Sequence, residues 1–376
     1  MAYADGIEKL VQWAQSPDKV IRATIQSTGK KAVGCFPIYT PEEIIYAAGA
    51  LPVGMWGGNT ELSRSDRYLQ AFCCSIMRSN IEYGVKGTYD MLEAVILPTF
   101  CDTLKCVCEN WKVAVPQIPV IPVVYPQNRL LHSGYVYLLE EFKRVKSELE
   151  TCLNVVITED MLEGAYQVYE EYRETMRSFV EYTARNPGVV DAKTRHLIIK
   201  ASWFMDKKEY TEMLKEILIG WKKTENDEFH GIKVVATGLL SEPVELLSLL
   251  TKNNIAIVAD DLAQESRQFR VKSREEGSVI ERMAWRMIDQ RGCTFVYEKE
   301  KSRGEMLINM VKSTGSDAVI VFMMKFCDPE EFDYPVYKEE LEGAGIPILY
   351  LEIDQQLDSF AQIETRVQSF AEMLRL

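Results

Sequence analysis

The sequence is poor in the residues and patterns that mark several common classes of protein. Only three of its 376 residues are histidine, and Asp and Glu outnumber Lys and Arg by 56 to 43, for a formal net charge of −13. Such an acidic chain lacks the basic face that binding to nucleic acid or to an anionic membrane requires. Its apolar runs are too short to span a bilayer. We therefore expect no nucleic acid and no membrane among its partners.

Targeting signals and nucleotide-binding motifs are missing as well. The first residues lead into an amphipathic helical pattern rather than an apolar signal sequence, so we expect a cytoplasmic protein. No glycine-rich dinucleotide fingerprint, Walker motif or nucleophile elbow is present, which argues against ATP hydrolysis by this chain. The three histidines, His132, His196 and His230, are scattered, and each is more typical of a surface or hydrogen-bonded position than of a catalytic one.

Short apolar strands alternate with helical patterns, which indicates an α/β fold with parallel sheets. From about residue 130 to 223 the strand signals become sparse and helical periodicity dominates, and a strand pattern returns at Ile232–Gly238. We predict two related Rossmann-like lobes over residues 1–130 and 229–376, joined by a helical bridging segment over residues 131–228. A crevice is expected between the lobes.

Several helices can be placed by their end signals. Residues 4–15 have a helical pattern at the start of the chain. Thr40 and Pro41 are predicted to be the N-cap and the first residue of a helix that continues through Glu42–Ala50. A further helix is predicted from Thr103 to about Lys112.

Two stretches in the predicted lobes have nearly the same pattern. Residues 93–102 (EAVILPTFCD) and 317–328 (DAVIVFMMKFCD) both contain Ala-Val-Ile and end in Phe-Cys-Asp, and each precedes an apolar run that opens with Ile-Pro, at Ile118 and Ile346. Chance similarity of generic α/β elements is the simpler explanation. The matched Phe-Cys-Asp endings nevertheless favour a duplication, in which both cysteines follow equivalent strands.

The nine cysteines do not indicate a disulfide framework, because the count is odd and a reducing cytoplasm keeps thiols free. We expect Cys35, Cys152 and Cys293 to be small hydrophobic residues of the core. Five further cysteines lie between residues 73 and 108, and this concentration is harder to explain by packing alone.

Thiolates bind soft metals, and three cysteines can hold a [4Fe–4S] cluster that leaves one iron open. The sequence offers three places for such ligands: Cys73 or Cys74, Cys101 or Cys106, and Cys327. Cys101 is preferred because it mirrors Cys327 at a strand end, where open α/β sheets bind ligands. No C-x₂-C pair of structural-zinc spacing is present, so zinc is the lesser interpretation. Inert buried thiols remain the alternative to any metal site.

Four stretches also match motifs of a known family. Residues 34–52 (GCFPIYTPEEIIYAAGALP) resemble the opening signature of the 2-hydroxyacyl-CoA dehydratase family, which includes the cluster subunits of benzoyl-CoA reductase. Three further stretches resemble the three cysteine motifs of this family. They are Cys74-Ser75-x-x-Arg78, residues 97–102 (LPTFCD) and residues 325–335 (KFCDPEEFDYP), of which the last is the most specific. The resemblance extends over nearly the whole chain, and it favours Cys74 over Cys73.

The resemblance implies a cytoplasmic enzyme of strict anaerobes that forms a heterodimer of related alpha and beta subunits. Each subunit is expected to hold a [4Fe–4S] cluster on three cysteines, here Cys74, Cys101 and Cys327, in the crevice between the lobes. A separate ATP-hydrolysing iron–sulfur activator injects one electron. The enzyme removes water from an (R)-2-hydroxyacyl-CoA to give an (E)-2-enoyl-CoA.

The chemistry implied by the resemblance explains the need for an electron. The proton to be lost lies β to the thioester carbonyl and is not acidic, so a side-chain base alone cannot remove it. One electron converts the carbonyl to a ketyl radical anion, which expels the 2-hydroxyl group as hydroxide. The resulting radical has an acidic β-proton, and the electron returns at the end, so the reaction is redox-neutral overall. An open iron can act as a Lewis acid on a substrate oxygen.

The resemblance implies that the cluster of one subunit binds substrate and that the other subunit mainly relays the electron. The spare thiols and the short form of this chain favour the relay, or beta, subunit. Tyr39, Glu42 and Glu43 fall where the resemblance implies active-site polar groups in a partner subunit, although the two glutamates also favour a helix N-terminus. Two alternatives are a cluster subunit of an aromatic acyl-CoA reductase of the benzoyl-CoA type and a non-enzymatic α/β interaction subunit that is cluster-free or zinc-bearing.

Overall fold

The structure is a computed structural model and describes residues 2–223 and 228–376. The described residues form eight β-strands: β1 (Ala32–Cys35), β2 (Leu51–Gly54), β3 (Leu92–Pro98), β4 (Val120–Val123), β5 (Ile232–Gly238), β6 (Ile255–Leu262), β7 (Ala318–Met324) and β8 (Ile348–Ile353).

The same residues form fourteen α-helices. They are α1 (Ala2–Gln15), α2 (Pro17–Thr28), α3 (Glu42–Ala47), α4 (Ser75–Val85), α5 (Asp102–Ala114), α6 (His132–Leu153), α7 (Glu159–Arg185), α8 (Ala192–Ala201), α9 (Lys207–Trp221), α10 (Val244–Lys252), α11 (Val279–Ile288), α12 (Arg303–Thr314), α13 (Asp328–Gly343) and α14 (Ala361–Arg375). No helix in these two stretches of chain is both long and apolar enough to cross a membrane.

The strands form two four-stranded sheets in which every pairing is parallel. The first sheet has the order β2-β1-β3-β4 and the second the order β6-β5-β7-β8, so the second half of the chain repeats the strand order of the first. The strands with the Ala-Val-Ile pattern, β3 and β7, occupy equivalent central positions. The predicted α/β fold with two related Rossmann-like lobes is therefore confirmed.

The central strand β7 and the edge strands β4 and β8 differ in burial. All seven residues of β7 are buried, because helices cover both faces of a central parallel strand and its sequence is correspondingly apolar throughout. The edge strands β4 and β8 alternate between buried and partly exposed residues. These patterns match the apolar runs from which the strands were predicted.

The helices between the two sheets do more than connect them. Residues Phe142, Val145 and Leu149 of α6 pack in one core with Ile96 of β3 and Ile121 of β4. Helices α7, α8 and α9 form another core together with α1. The division of the chain at residues 130 and 228 stays a prediction, since the packing of these helices extends to elements on both sides of it.

Polar contacts join the two lobes just beyond the end of β8. The backbone N–H of Gln355 donates to the Ser75 hydroxyl at 3.1 Å, and its side-chain amide donates to the carbonyl of Trp56 at 2.8 Å. The side-chain oxygen of Gln355 accepts from the N–H of Gly58 at 3.0 Å. One buried glutamine of the second lobe therefore holds two loops of the first.

Some helix ends differ from their predicted positions. Helix α3 begins at Glu42 with Pro41 as its N-cap, because Pro41 has a non-helical ψ of 73°, so Thr40 is not the cap. The helix ends at Ala47 and not at residue 50, because Gly49 turns the chain with a φ of +74°. Helix α5 extends to Ala114, two residues beyond the predicted end.

One of the three cysteines predicted to lie in the core is exposed. Cys35 and Cys293 are buried as predicted, but Cys152 lies in the last turn of α6 on the solvent side of the helix. The prediction for Cys152 was wrong because residue type alone does not tell which face of an amphipathic helix a cysteine occupies.

The two central strands of the second sheet leave no room for a side chain at Gly238, the last residue of β5. Its φ is +135°, and a Cβ built there would lie 2.1 Å from the carbonyl oxygen of Phe322 on β7. The carboxyl ends of β5 and β7 can therefore come together only because residue 238 has no side chain.

We predict that Gly238→Ala lowers the free energy of unfolding by at least about 2 kcal/mol, because the new methyl group combines a strained φ with a backbone clash. Urea titration of the full chain measures this. The matched control is Gly164→Ala within α7, where a Cβ meets nothing within 4 Å. That variant should be neutral or more stable by up to about 1 kcal/mol. Equal stability of the two variants would contradict the assignment.

Candidate metal centre

A small cavity lies where the carboxyl ends of the two sheets meet. From the first lobe its walls come from the segments that follow β1, β2 and β3, and from the second lobe from the segments that follow β5, β6 and β7. This is the edge at which open α/β sheets bind ligands. The lining is mostly apolar and is formed by Pro37, Ile38, Trp56, Cys74, Ile76, Met77, Cys101, Thr103, Leu104, Leu239, Ala263, Phe295, Phe326, Cys327, Asp328 and Pro329.

Three of the five candidate ligand cysteines share this cavity. Cys74, Cys101 and Cys327 all contribute to its walls. Cys106 lies one turn into α5 and is exposed, and Cys73 is buried outside the cavity lining. The structure thus brings together the three cysteines that the sequence analysis preferred, from positions 74, 101 and 327.

Each of these cysteines stands immediately before a helix. Cys74 is the N-cap residue of α4, Cys101 of α5 and Cys327 of α13. The sulfur of Cys101 accepts a hydrogen bond from the backbone N–H of Leu104 at 3.4 Å. Since a helix N-terminus carries partial positive charge, three such ends directed at one cavity favour negatively charged sulfur there.

Burial opposes this effect and raises the pKa of all three thiols. Desolvation raises the pKa of Cys74 to about 12, and the neighbouring Cys101 contributes to the rise. The pKa of Cys327 is raised by burial, by Glu330 and by the other two cysteines, and that of Cys101 by burial. Thiols in such surroundings keep their protons at neutral pH. A bound metal would displace these protons, because metals bind the deprotonated thiolate.

The sulfur-only donor set is compatible with an iron–sulfur cluster. Three cysteine thiols, of which Cys74 and Cys327 are buried and Cys101 is partly exposed, are ligands of the kind that iron–sulfur clusters take. Across residues 2–223 and 228–376, no three His, Cys, Asp or Glu side chains are grouped so as to hold one metal ion. A cubane accepts one thiolate at each iron corner, so its ligands are spread farther apart than the ligands of one ion.

A buried ionic network supports the helix that follows Cys327. Glu330, in the first turn of α13, pairs with Arg267 at 3.1 Å and with Arg303 at 2.7 Å. Both arginines also pair with Asp261, at 3.1 and 2.9 Å. Although burial acts to raise it, the pKa of Asp261 is held below its usual range by these arginines and Arg270. The sequence places Asp261 at a strand end but has no local signal for its partners.

A second buried carboxylate orders the loop that leads to Cys74. Glu82 of α4 accepts hydrogen bonds from the backbone N–H groups of Ser63, Arg64 and Ser65 at 3.1, 2.8 and 2.8 Å. Burial alone would raise the pKa of Glu82, but these bonds and Lys86 lower it to about 2. The spacing of 17 to 19 residues between partners left no pattern from which sequence analysis could find this contact.

The polar residues near the start of α3 are used inside the protein. Glu43 pairs with Arg173 and with Arg286, both at 2.7 Å. Glu42 accepts from the Tyr169 hydroxyl at 2.9 Å and pairs with Lys207 at 3.2 Å. Neither glutamate lines the cysteine cavity. Their contacts fit a structural role at a buried helix start.

The histidines occupy the kinds of position that were predicted for them. His132 and His230 are exposed. His196 is buried, and its Nδ1 lies 2.8 Å from Glu265 and its Nε2 3.4 Å from Glu242. Burial acts to lower the pKa of His196, but hydrogen bonding to the two carboxylates outweighs it and raises the pKa. These contacts satisfy the ring within the core, as predicted.

Comparison with known proteins gives a consistent result over the length of the chain. The profile of the family described as 2-hydroxyglutaryl-CoA dehydratase, D-component, matches residues 37–374. The chain is 46% identical over 370 residues to the lactoyl-CoA dehydratase subunit beta of Anaerotignum propionicum, an alignment that covers 98% of each chain. It is 41% identical over 360 residues to the (R)-phenyllactyl-CoA dehydratase beta subunit of Clostridium sporogenes, with 96% of each chain covered.

A further relative is the beta subunit of (R)-2-hydroxyglutaryl-CoA dehydratase from Acidaminococcus fermentans, 36% identical over 380 residues and covered completely on both sides. These relatives are all beta subunits of dehydratases, which are hydro-lyases. The predicted family resemblance and the prediction of a dehydratase subunit are thereby confirmed. The chain belongs to the 2-hydroxyglutaryl-CoA dehydratase D-component family.

Proposed function

We propose that this chain holds a [4Fe–4S] cluster on Cys74, Cys101 and Cys327 and serves as the beta subunit of an (R)-2-hydroxyacyl-CoA dehydratase. One observation carries the proposal. Three cysteines that are distant in sequence lie on the wall of a single cavity between the lobes, each at the N-terminus of a helix. Inert core thiols would have no reason to share this arrangement.

The residues around the cysteines suit a redox centre. When bound, such a cluster supplies one-electron transfer and a Lewis-acidic iron that lacks a protein ligand. Trp56, Leu239 and Phe295 line the cavity with apolar surface and exclude water from it. The three helix N-termini offset the negative charge that thiolate ligands bring.

Phe326 and Cys101 mark the side of the cavity that is nearest to solvent. Phe326 is 37% exposed, and Cys101 is partly exposed, whereas Cys74 and Cys327 are buried. Phe326 also adopts a left-handed φ of 62°, which is unfavourable for an aromatic residue and is found more often at functional sites. An electron from outside the chain would therefore enter on this side of the cavity.

The proposed partners follow from the relatives and from what the sequence lacks. The relatives are beta subunits, so we propose a related alpha subunit and a heterodimer. Since the chain has no Walker motif, the ATP-dependent step requires a separate protein, an iron–sulfur activator that donates the electron. The substrate is an (R)-2-hydroxyacyl-CoA and the product an (E)-2-enoyl-CoA. This subunit relays the electron towards its partner.

Two other hypotheses about the function of the chain were considered in the sequence analysis. A non-enzymatic interaction subunit, zinc-bearing or cluster-free, is set aside because the chain belongs to an enzyme family. A cluster subunit of an aromatic acyl-CoA reductase would use the same cysteines for a different reaction. The identities of 36% to 46% to dehydratase subunits favour dehydration.

The ligand assignment predicts the iron content of cysteine variants. In anaerobically purified protein, Cys74→Ser, Cys101→Ser and Cys327→Ser should each reduce bound iron and acid-labile sulfide from about four of each per chain to below about one. Metal and sulfide analysis measures this directly. Cys152→Ser, at an exposed position on α6, is the matched control and should keep full iron. Retained iron in Cys74→Ser with loss in Cys73→Ser would overturn the assignment, as would the same exchange between Cys101 and Cys106.

The proposed reaction predicts a defined dependence of activity on partners. The chain, combined with its alpha subunit, activator, ATP and a reductant, should dehydrate one or more of (R)-lactoyl-CoA, (R)-phenyllactyl-CoA and (R)-2-hydroxyglutaryl-CoA, and activity should vanish without activator. Cys327→Ser should reduce turnover at least about 100-fold because electron transfer is lost, while Cys152→Ser stays active. Ring reduction of benzoyl-CoA by the same mixture, with no dehydration, would support the reductase alternative instead.

A further inference from the structure

A second and larger cavity borders the cysteine-lined one. Its volume is about 550 Å³, within the range of about 300–1,000 Å³ that small-molecule sites occupy. It opens beyond the carboxyl ends of β3 and β4 and is closed on the other side by the segment between α11 and α12. We call it the β3–β4 cleft. Phe295 and Pro329 belong to the walls of both cavities, so the cleft is adjacent to the cavity of the cysteines.

The inner part of the β3–β4 cleft is aromatic. Phe100 and Tyr125 stack with their ring centroids 4.3 Å apart, and Phe295 lies edge-on to Phe100 at 6.4 Å. Phe100 directly precedes Cys101 in the chain. An apolar group bound against these rings would therefore lie next to the proposed ligand cysteine.

Three lysines line the outer part of the cleft. Lys105 pairs with Asp102 and Lys301 with Asp333, each at 3.2 Å. The third, Lys299, is exposed, and its ammonium group makes no ion pair or hydrogen bond within the part of the chain that the structure describes. Clustered ammonium groups are unexpected on a chain with a net charge of −13.

The one carboxylate that lines the cleft is occupied elsewhere. Glu298 accepts from the Gly292 N–H at 3.0 Å, from the Ser302 hydroxyl at 2.8 Å and from Arg291 at 3.3 Å. Its charge is therefore compensated within its own loop and does not neutralise the lysines of the cleft.

A buried arginine adds further positive charge. Arg129 is 2% exposed and donates to the backbone carbonyls of Ile288, Gln290 and Tyr297. Among residues 2–223 and 228–376, no carboxylate lies within ion-pair distance of its guanidinium group, and Glu298 acts on it only from farther away. Arg129 thus fixes the wall of the cleft through carbonyl dipoles alone. A buried cation without a directly paired counter-ion favours an anion nearby.

We propose that the β3–β4 cleft binds an acyl-CoA thioester on this chain itself. The acyl end would contact Phe100 and Phe295 beside the cysteine cavity, and the phosphates would meet Lys299 and Lys301. The choice of a thioester rests on the function proposed above, whereas the need for an anion with an apolar end rests on the cleft alone. A beta subunit with this site contacts a thioester in addition to passing on an electron.

Butyryl-CoA is a suitable probe, because it lacks the 2-hydroxyl group and binds without being dehydrated. The full chain, alone and with its partner subunit, is labelled at lysines by an acetylating reagent with and without the probe, and mass spectrometry measures labelling at each lysine. Lys299 and Lys301 should be protected several-fold. Lys112, two turns beyond Lys105 on the same helix and outside the cleft, should be labelled equally in both samples.

Calorimetric titration with the same probe tests the role of the lysines. The double variant Lys299→Ala/Lys301→Ala should bind butyryl-CoA about tenfold more weakly than the unchanged chain, because two contacts to phosphate are lost. Lys112→Ala removes a lysine outside the cleft and should bind as the unchanged chain does. Equal weakening in both would mean a long-range charge effect and overturn the site. If inorganic phosphate protected Lys299 and Lys301 at the same concentration as butyryl-CoA does, the cleft would bind a free anion only. That result also overturns the thioester site.

The labelling and titration experiments test the cleft independently of the cluster proposal. They measure the binding of butyryl-CoA without turnover, and iron is measured in the same samples. Iron-replete protein that shows neither protection nor binding overturns the cleft and leaves the proposed function intact. If the chain binds butyryl-CoA but carries no iron, the cleft stands and the cluster assignment falls.

Discussion

Three helices begin at one cavity, and a cysteine stands at the start of each. This convergence is the constraint on which the rest of the structure depends. It requires parallel sheets, because only then do strand ends lie at a common edge, and it requires two such sheets facing each other. The repeated order β2-β1-β3-β4 and β6-β5-β7-β8 provides both. Cys101 and Cys327 follow equivalent strands of the two halves, and Cys74 closes the cavity from a third direction.

Keeping this junction closed depends on polar groups that are buried away from water. Glu330 is shared by Arg267 and Arg303 at the start of the helix that follows Cys327, and Gln355 links the second lobe to Trp56 and Ser75 of the first. Removing one partner of such a buried pair costs about 3–5 kcal/mol, because it leaves a charge unpaired. The arginine network thus fixes the start of α13 within the second lobe, whereas the contacts of Gln355 join the two lobes.

The sequence was sufficient to predict the fold class, the repeated strand pattern and the strand-end positions of Cys101 and Cys327, because strand ends in α/β proteins carry local signals. Cys74 was preferred over Cys73 only through the family resemblance. The matched Phe-Cys-Asp endings alone predicted equivalent positions for Cys101 and Cys327. The residues that support the cavity and the cleft were not predictable. Glu82 accepts hydrogen bonds from a loop that is distant in sequence, and Arg129 donates to backbone carbonyls of a segment about 160 residues away. Such partners are set by tertiary packing and leave no periodic pattern. The predictions for Cys152 and for the end of α3 were wrong for a local reason. The face of a helix on which a residue lies and the point at which a helix ends both depend on single residues.

The central claim is that three protein sulfurs hold one cluster and leave a corner without a cysteine. Mössbauer spectroscopy of protein produced on isotopically enriched iron and purified without oxygen tests it most directly. The account predicts a single cluster in which three irons are alike and the fourth is distinct. Four equivalent irons would mean a fourth cysteine ligand, and a mononuclear or absent iron signal would contradict the cluster altogether.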